Sequence, residues 1–170
     1  MFDFNGRLEE QLPRLRRYAR ALTRDKQRAD DLVQDTVVRA LAKQHLWQEG
    51  TNLRAWLFTL MHNQYVNDVR RAGREGGNVD VAEMASVLAA TTDPTAARRL
   101  HEMEEGLAQL PLEQREAILL IALEGMRYDE AASVLGVPIG TVRSRLSRGR
   151  DTLRRLLDIE ETAEGLAAAA

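Results

Sequence analysis

The chain has 170 residues, of which 44% are hydrophobic, 5% aromatic and 29% charged, enough apolar material for a packed core and too much for a disordered chain. Its 24 Lys and Arg stand against 26 Asp and Glu, a net charge of −2, and the lack of any cysteine excludes disulfides and cysteine-ligated metal. No apolar run approaches the roughly 18 residues of a membrane span and MFDFNGRLEE has no signal-peptide core, so a cytoplasmic protein without membrane insertion is expected.

Abundant Ala, Leu, Arg and Glu suit helices better than sheets, and the fold class expected is all-α. Leu12, Leu15, Tyr18, Ala19 and Leu22 form one helix face from about Leu8 onward. Asp25 is placed to N-cap a second helix, in which Ala29, Leu32, Val33, Thr36, Val37, Ala40 and Leu41 repeat at helical spacing. Its outer face carries Asp30, Asp31, Gln34, Asp35 and Arg39, which taken alone is an ordinary solvated face. The segment 48–52 breaks the pattern around Gly50, and a third helix runs from about Leu53 to Arg71. There Leu53, Leu57, Leu60 and Met61 are expected inside, with Tyr65 and Val69 following, and Trp56 is read as core rather than as a stacking platform. Three amphipathic helices on short loops predict a three-helix bundle over 1–75.

On the third helix Asn63, Asn67, Arg70 and Arg74 fall at i, i+4, i+7 and i+11, turned away from the apolar stripe, with Arg71 beside them. Carboxamides can pair with base edges and guanidiniums with phosphates, so this stripe is a candidate DNA face. Periodicity then fades, and 76–94, bounded by glycines and by Thr91-Thr92-Asp93-Pro94, is expected to be a flexible linker, with a short helix possible around 80–90. Residues 76–110 hold six acidic against two basic residues, so an acidic middle separates two basic regions.

A second unit is predicted over 95–160, with helices at 95–109, 112–124, 128–135 and 139–157. The run YDEAASVLGVPIGTVRSRLSRG (128–149) has helix-turn-helix spacing: small Ala131 and Ala132, a tight turn at Gly136, then a helix with Val142, Leu146 and Leu153 inward. Six arginines against one aspartate within 139–155 make its outer face basic. Ser144, Ser147, Arg148 and Asp151 lie opposite the apolar stripe with Thr141 and Arg143 on the flanks, a face fitted to the major groove. The tail 161–170 carries no packing pattern and is expected to fray.

The order of ADDLVQDTVVRAL (29–41), LRAWLFTLMHNQYVNDVRR (53–71) and LPLEQREAILLIALEGMRYDEAASVLGVPIGTVRSRLSRGRDTLRRLL (110–157) resembles the extracytoplasmic-function group of bacterial RNA polymerase sigma factors. The resemblance covers nearly everything outside the linker and tail. It implies that 1–75 is sigma region 2 and 95–160 is sigma region 4. Asp31, Gln34, Asp35 and Arg39 would then contact core RNA polymerase at the β′ coiled coil. Asn63, Asn67, Arg70, Arg71 and Arg74 would read the −10 element, with Asn63 helping to hold a flipped base. Thr141, Arg143, Ser144, Ser147 and Arg148 would meet the −35 element, although Ser147 replaces the bulky residue of some relatives, so −35 preference does not transfer. The linker would thread near the polymerase channels, its acidity imitating nucleic acid, and an anti-sigma factor would hold the protein inactive, closed and open arrangements both being accessible.

The implied function is promoter-specific initiation in a stress or extracytoplasmic response, without catalysis or cofactor. His45, His62 and His101 lack metal-ligand spacing, and no Walker loop or Gly-x-Ser-x-Gly elbow occurs. Two alternatives use the same residues: a sigma-like mimic that sequesters an anti-sigma protein, expected to need an attached receiver domain, and an ordinary dimeric helix-turn-helix regulator, which leaves 25–71 unexplained.

Overall fold

The computed structural model describes residues 3–76 and 93–168, the last ten of them as backbone only. Most of the expected linker, including the short helix around 80–90, lies outside the described residues, as do the last two residues of the tail. Every regular element described is helical, and none of these helices is long and apolar enough to cross a membrane.

The N-terminal module is built from α1 (Phe4–Thr23), α2 (Lys26–Ala42) and α3 (Leu53–Arg74), with a 3₁₀ turn at Gln44–Leu46. Each helix starts on a side-chain acceptor for an otherwise unpaired N–H: Asp3 for Gly6, Asp25 for Arg28 and Asn52 for Ala55. Arg24, at φ 53° the one non-glycine residue described with a left-handed backbone, closes α1 and lets Asp25 open α2 at once. Leu15, Tyr18, Ala19 and Leu22 of α1, Leu32 and Val33 of α2, and Leu53, Leu57, Phe58 and Met61 of α3 make the shared core. Tyr18 meets Phe58 edge-on with ring centroids 5.1 Å apart. The buried residues of α3 stop at Gln64; beyond it Tyr65 is half-buried and Val69 is 42% exposed. Val69 was expected inside, but the end of α3 projects past the helices that would cover it. Trp56 is half-buried edge-on against Phe4, and the N-terminal Phe4 also tilts against buried Trp47.

The C-terminal module contains α4 (Pro94–Gln109), α5 (Leu112–Ile118), α6 (Tyr128–Leu135) and α7 (Ile139–Ala168). The helix expected over 112–124 is α5 followed by a π turn at Leu119–Leu123, closed by the Glu124 N–H donating to the Leu119 carbonyl at 3.0 Å. Gly136, at φ 64°, ends α6 in a left-handed cap that L side chains disfavour, and Pro138 sits just ahead of α7. Val142, Leu146 and Leu153 of α7 face inward as expected. Gly149 joins them: a Cβ there would lie 2.8 Å from Ile118 Cδ1, so α5 and α7 cross where there is no side chain. The last helix does not stop near 157; it runs to Ala168, through a segment whose Glu and Ala content favours helix.

The two modules are docked. α3 packs against α6, and α1 against the π turn, so the core continues from one unit into the other. Part of the acidic middle is structural: α4 packs on α7, and its Glu105 reaches Arg24 of the N-terminal module.

Candidate nucleic-acid and polymerase interfaces

On α3, Asn63, Asn67, Arg70, Arg71 and Arg74 are all exposed on the side away from the core. Buried Gln64 donates through Nε2 to Asp68 Oδ1 at 2.8 Å, and Arg71 donates to the same oxygen at 3.2 Å. This short chain fixes the third turn of the stripe from inside. Asn67, Arg70, Arg71 and Arg74 line an open concavity of roughly 600 Å³. Arg39 of α2 forms its other wall.

The outer face of α2 is not wholly polar. Asp31, Gln34 and Asp35 are exposed and share their side of the helix with Val38 and Leu41, which are 59% and 41% exposed. Leu46, 63% exposed, lies just beyond. Large apolar side chains thus stand uncovered beside acids and an amide on one side of α2. Arg39, one turn beyond Asp35, stands at the edge of that group and also lines the concavity beside α3. The sequence pattern puts Leu41 on the apolar stripe with Ala40, whereas the structure leaves it exposed, and it gives no role to Val38 and Leu46; the signal available for Val38 was its place between charged residues, outside the buried stripe.

On α7, Arg143, Ser147 and Arg148 are exposed. Thr141 and Ser144 are half-buried, and the Ser144 hydroxyl donates to the Thr141 carbonyl at 3.1 Å, which turns it back onto its own helix. The guanidinium of Arg143 lies 5.8 Å from the ring centre of Tyr128, the first residue of α6, a cation–π contact that the helix-turn-helix spacing did not reveal.

Between the modules lies a polar interface that sequence reasoning did not find. The N-terminal module supplies basic and amide groups, and the C-terminal module supplies glutamates. Arg17 donates to Glu124 Oε1 at 3.1 Å, Arg24 to Glu105 at 2.6 Å, and Asn52 to Glu130 at 2.6 Å. Arg54 reaches Glu130 and the Glu124 carbonyl, and His62 Nδ1 sits 2.6 Å from Glu116 Oε1. Glu116 and Glu124 are both only 2% exposed. Carboxylates so deep are rarely left without partners, and here those partners come from the other module. Arg115 spans the seam, donating to the carbonyls of Leu107, Ala108 and Leu110 and to that of Leu22 at the end of α1. Burial lowers the pKa of its guanidinium below the ordinary value. Beside it burial raises the pKa of Tyr65, and raises that of Tyr18 well above the usual phenol value, where the charges of Glu116 and Glu124 push the same way.

Residues 8–62 match the Sigma2 domain of PhyR, and residues 100–153 match Sigma-70, region 4. The chain is 40% identical over 149 residues to the ECF RNA polymerase sigma factor EcfG of Rhodopseudomonas palustris, covering 88% of this chain and 82% of that one. Its fold matches the sigma factor RpoE of Bartonella quintana, crystallised with the anti-sigma factor NepR, with a TM-score of 0.80 at 37% identity over 92% of this chain and 98% of that one. The PhyR stress response regulator is also similar, at 30% identity and a TM-score of 0.55, over 87% of this chain but 49% of that one. Two helical modules of region 2 and region 4 type, in this order and with these relatives, place the chain in a family: it belongs to the ECF RNA polymerase sigma factors.

Proposed function

We propose that this chain is the promoter-specificity subunit of a cytoplasmic RNA polymerase, without catalytic chemistry of its own. The observation that carries the reading is the separation of three exposed faces on two modules. The face of Asp31, Gln34, Asp35, Val38 and Leu41 offers apolar area with acidic rims for the polymerase β′ coiled coil. Asn63, Asn67, Arg70, Arg71 and Arg74 form a −10 reader, with Asn63 placed to hold an extruded base. Arg143, Ser147 and Arg148 form a −35 reader in the major groove, Thr141 and Ser144 supporting it from its half-buried edge.

The docked arrangement cannot serve both readers together. The two promoter elements lie about 25 base pairs apart, about 85 Å at 3.4 Å per pair. A compact chain of this length has a radius of gyration of about 15 Å and so measures about 40 Å across. Engaging both elements therefore requires the modules to separate, with 76–94 keeping the second contact intramolecular. The docked form is the state available to an anti-sigma protein, and the similarity to a sigma factor crystallised with one supports control of that kind.

The mimic reading draws on the likeness to PhyR; exposed Asn63, Arg70, Arg143 and Arg148, a full set of groups for DNA, favour the sigma factor. Transcription with purified core polymerase separates the two. Promoter-specific initiation that depends on added protein is the expected result. Failure to co-elute with core polymerase after removal of any bound inhibitor would overturn the reading.

A further inference from the structure

The guanidinium of Arg143 on α7 lies over the ring of Tyr128, 5.8 Å from its centre and within range of a cation–π contact. Among the described residues, the acids beside this pair are engaged elsewhere. Asp129 accepts from Arg127 at 2.8 Å. Glu130 accepts from the Arg127 N–H at 2.9 Å and from Asn52 at 2.6 Å. Asp151, which lines the same open concavity as Tyr128 and Arg143, sits 3.5 Å from Arg154. The charge of Arg143 is therefore left for a partner outside the chain. Tyr128 itself is anchored. It is the first residue of α6, whose start Glu130 fixes by accepting the Arg127 N–H, and it is 36% exposed.

We propose that Tyr128 is a positioning residue for −35 recognition: its ring holds the Arg143 guanidinium at the edge of the basic face, ready to meet a base. This rests on the −35 reading of α7, which it deepens. An aromatic partner suits the task better than an acid. A carboxylate would neutralise the charge and occupy donors, whereas a ring leaves all five N–H donors for DNA. A long arginine side chain also loses rotamer freedom when it meets a base, and a contact that restricts it beforehand lowers that cost. Bidentate pairing with guanine adds a demand on angle, because the planar fork has to meet O6 and N7 together. Tyr128 reads no base in this account; it acts through Arg143.

The test uses holoenzyme reconstituted from core polymerase and the full-length chain. It transcribes a promoter library randomised across the −35 element, the rest of the promoter being taken from one that the wild type uses. A barcode in each transcript identifies its promoter, so base preference is read position by position. Arg143→Ala should flatten the preference at the positions it reads. Tyr128→Leu should flatten those positions and no others, by about two- to fivefold, the worth of one exposed cation–π contact. Tyr128→Phe keeps the ring and should keep the wild-type preference. In the Arg143→Ala background, Tyr128→Leu should have no further effect. Wild-type preference in Tyr128→Leu or in Arg143→Ala overturns the proposal. A uniform loss across the library in Tyr128→Leu also overturns it, since a purely structural role or a phosphate contact moves every promoter alike. So does an equal loss in Tyr128→Phe, which would make the hydroxyl the active group, and so does a Tyr128→Leu effect that survives without Arg143. Each of these outcomes overturns this inference alone. Should the wild type use no promoter at all, the proposed function falls and this inference with it.

Discussion

The imidazole Nδ1 of His62 lies 2.6 Å from Oε1 of Glu116, and this contact ties the helix carrying Asn63 to the C-terminal module. Glu116 is nearly inaccessible, so its carboxylate depends on the neighbouring module for solvation that water would otherwise give. His62→Ala removes that partner while both modules keep their own cores. The docked form should lose up to about 3 kcal/mol, the low end for an uncompensated buried charge. Small-angle scattering should show a larger radius of gyration with unchanged helicity by circular dichroism. Wild-type compactness in the variant would show that the remaining contacts, those of Arg17, Arg24, Arg54 and Arg115 among them, hold the modules together without His62.

Arg115 offers a second way to loosen the same seam. Its guanidinium serves three carbonyls near the end of α4 and one near the end of α1, so a single side chain closes two helix C-termini in different modules. Arg115→Met retains much of the stem volume and strands those acceptors. At about 1–3 kcal/mol for each buried group left unsatisfied, a loss of about 2–4 kcal/mol in denaturant unfolding is expected, since some carbonyls regain water. Arg115→Lys should recover little of it, because an ammonium cannot present a planar fork to several carbonyls at once. Full recovery by lysine would show that charge, not geometry, is what the site needs.

Tyr18 makes stability depend on alkaline pH. The residue is 1% exposed and its buried hydroxyl has no hydrogen-bond partner among the described residues, so burial raises the phenol's pKa well above 10.0. From about pH 10 upward the unfolded chain releases that proton while the native chain retains it, so unfolding becomes steadily easier. Tyr18→Phe removes this contribution. The variant should unfold at the same or slightly higher denaturant concentration at pH 7, because no hydrogen bond is lost. Between about pH 10 and 11 its stability should fall less steeply than that of the wild type. Equal slopes would assign the alkaline loss to Tyr65, whose pKa burial also raises.

How legible these features are in the sequence follows from their range. Helix faces, caps and the Gly136 turn depend on residues within a turn or two of one another, so Asp25, Gly136 and the Val142/Leu146/Leu153 stripe are readable from spacing alone. Val69 was misplaced because periodicity continues along α3 after the helices that cover it have ended. Nothing in the local sequence distinguishes Glu116 and Glu124 from other acids, and they are buried where Arg17, Arg54 and His62, more than fifty positions earlier, come to meet them. Gly149 looks like a surface glycine in a basic helix until α5 crosses it. For the interfaces, residue chemistry was legible on α3 and α7, whereas the exposure of Val38 and Leu41 and the place of Arg39 beside α3 required knowing which way α3 runs past α2.

The recognition helix allows folding and DNA contact to be separated within three residues. Leu146 is 2% exposed in the core between α6 and α7, whereas Arg148 is exposed on the basic face. Leu146→Ala leaves a cavity and should cost the C-terminal module about 2–5 kcal/mol, visible as a lower unfolding midpoint. Arg148→Ala should leave the midpoint unchanged, because no packing is lost. If it makes a base contact, initiation on a promoter that depends on its −35 element should fall by about 1–3 kcal/mol, roughly 5- to 150-fold. On a promoter recognised through its −10 element alone, Arg148→Ala should initiate normally. An equal loss on both promoters would mean that the residue acts through a phosphate or a polymerase contact, and the −35 reader would then have to be sought at Arg143 and Ser147.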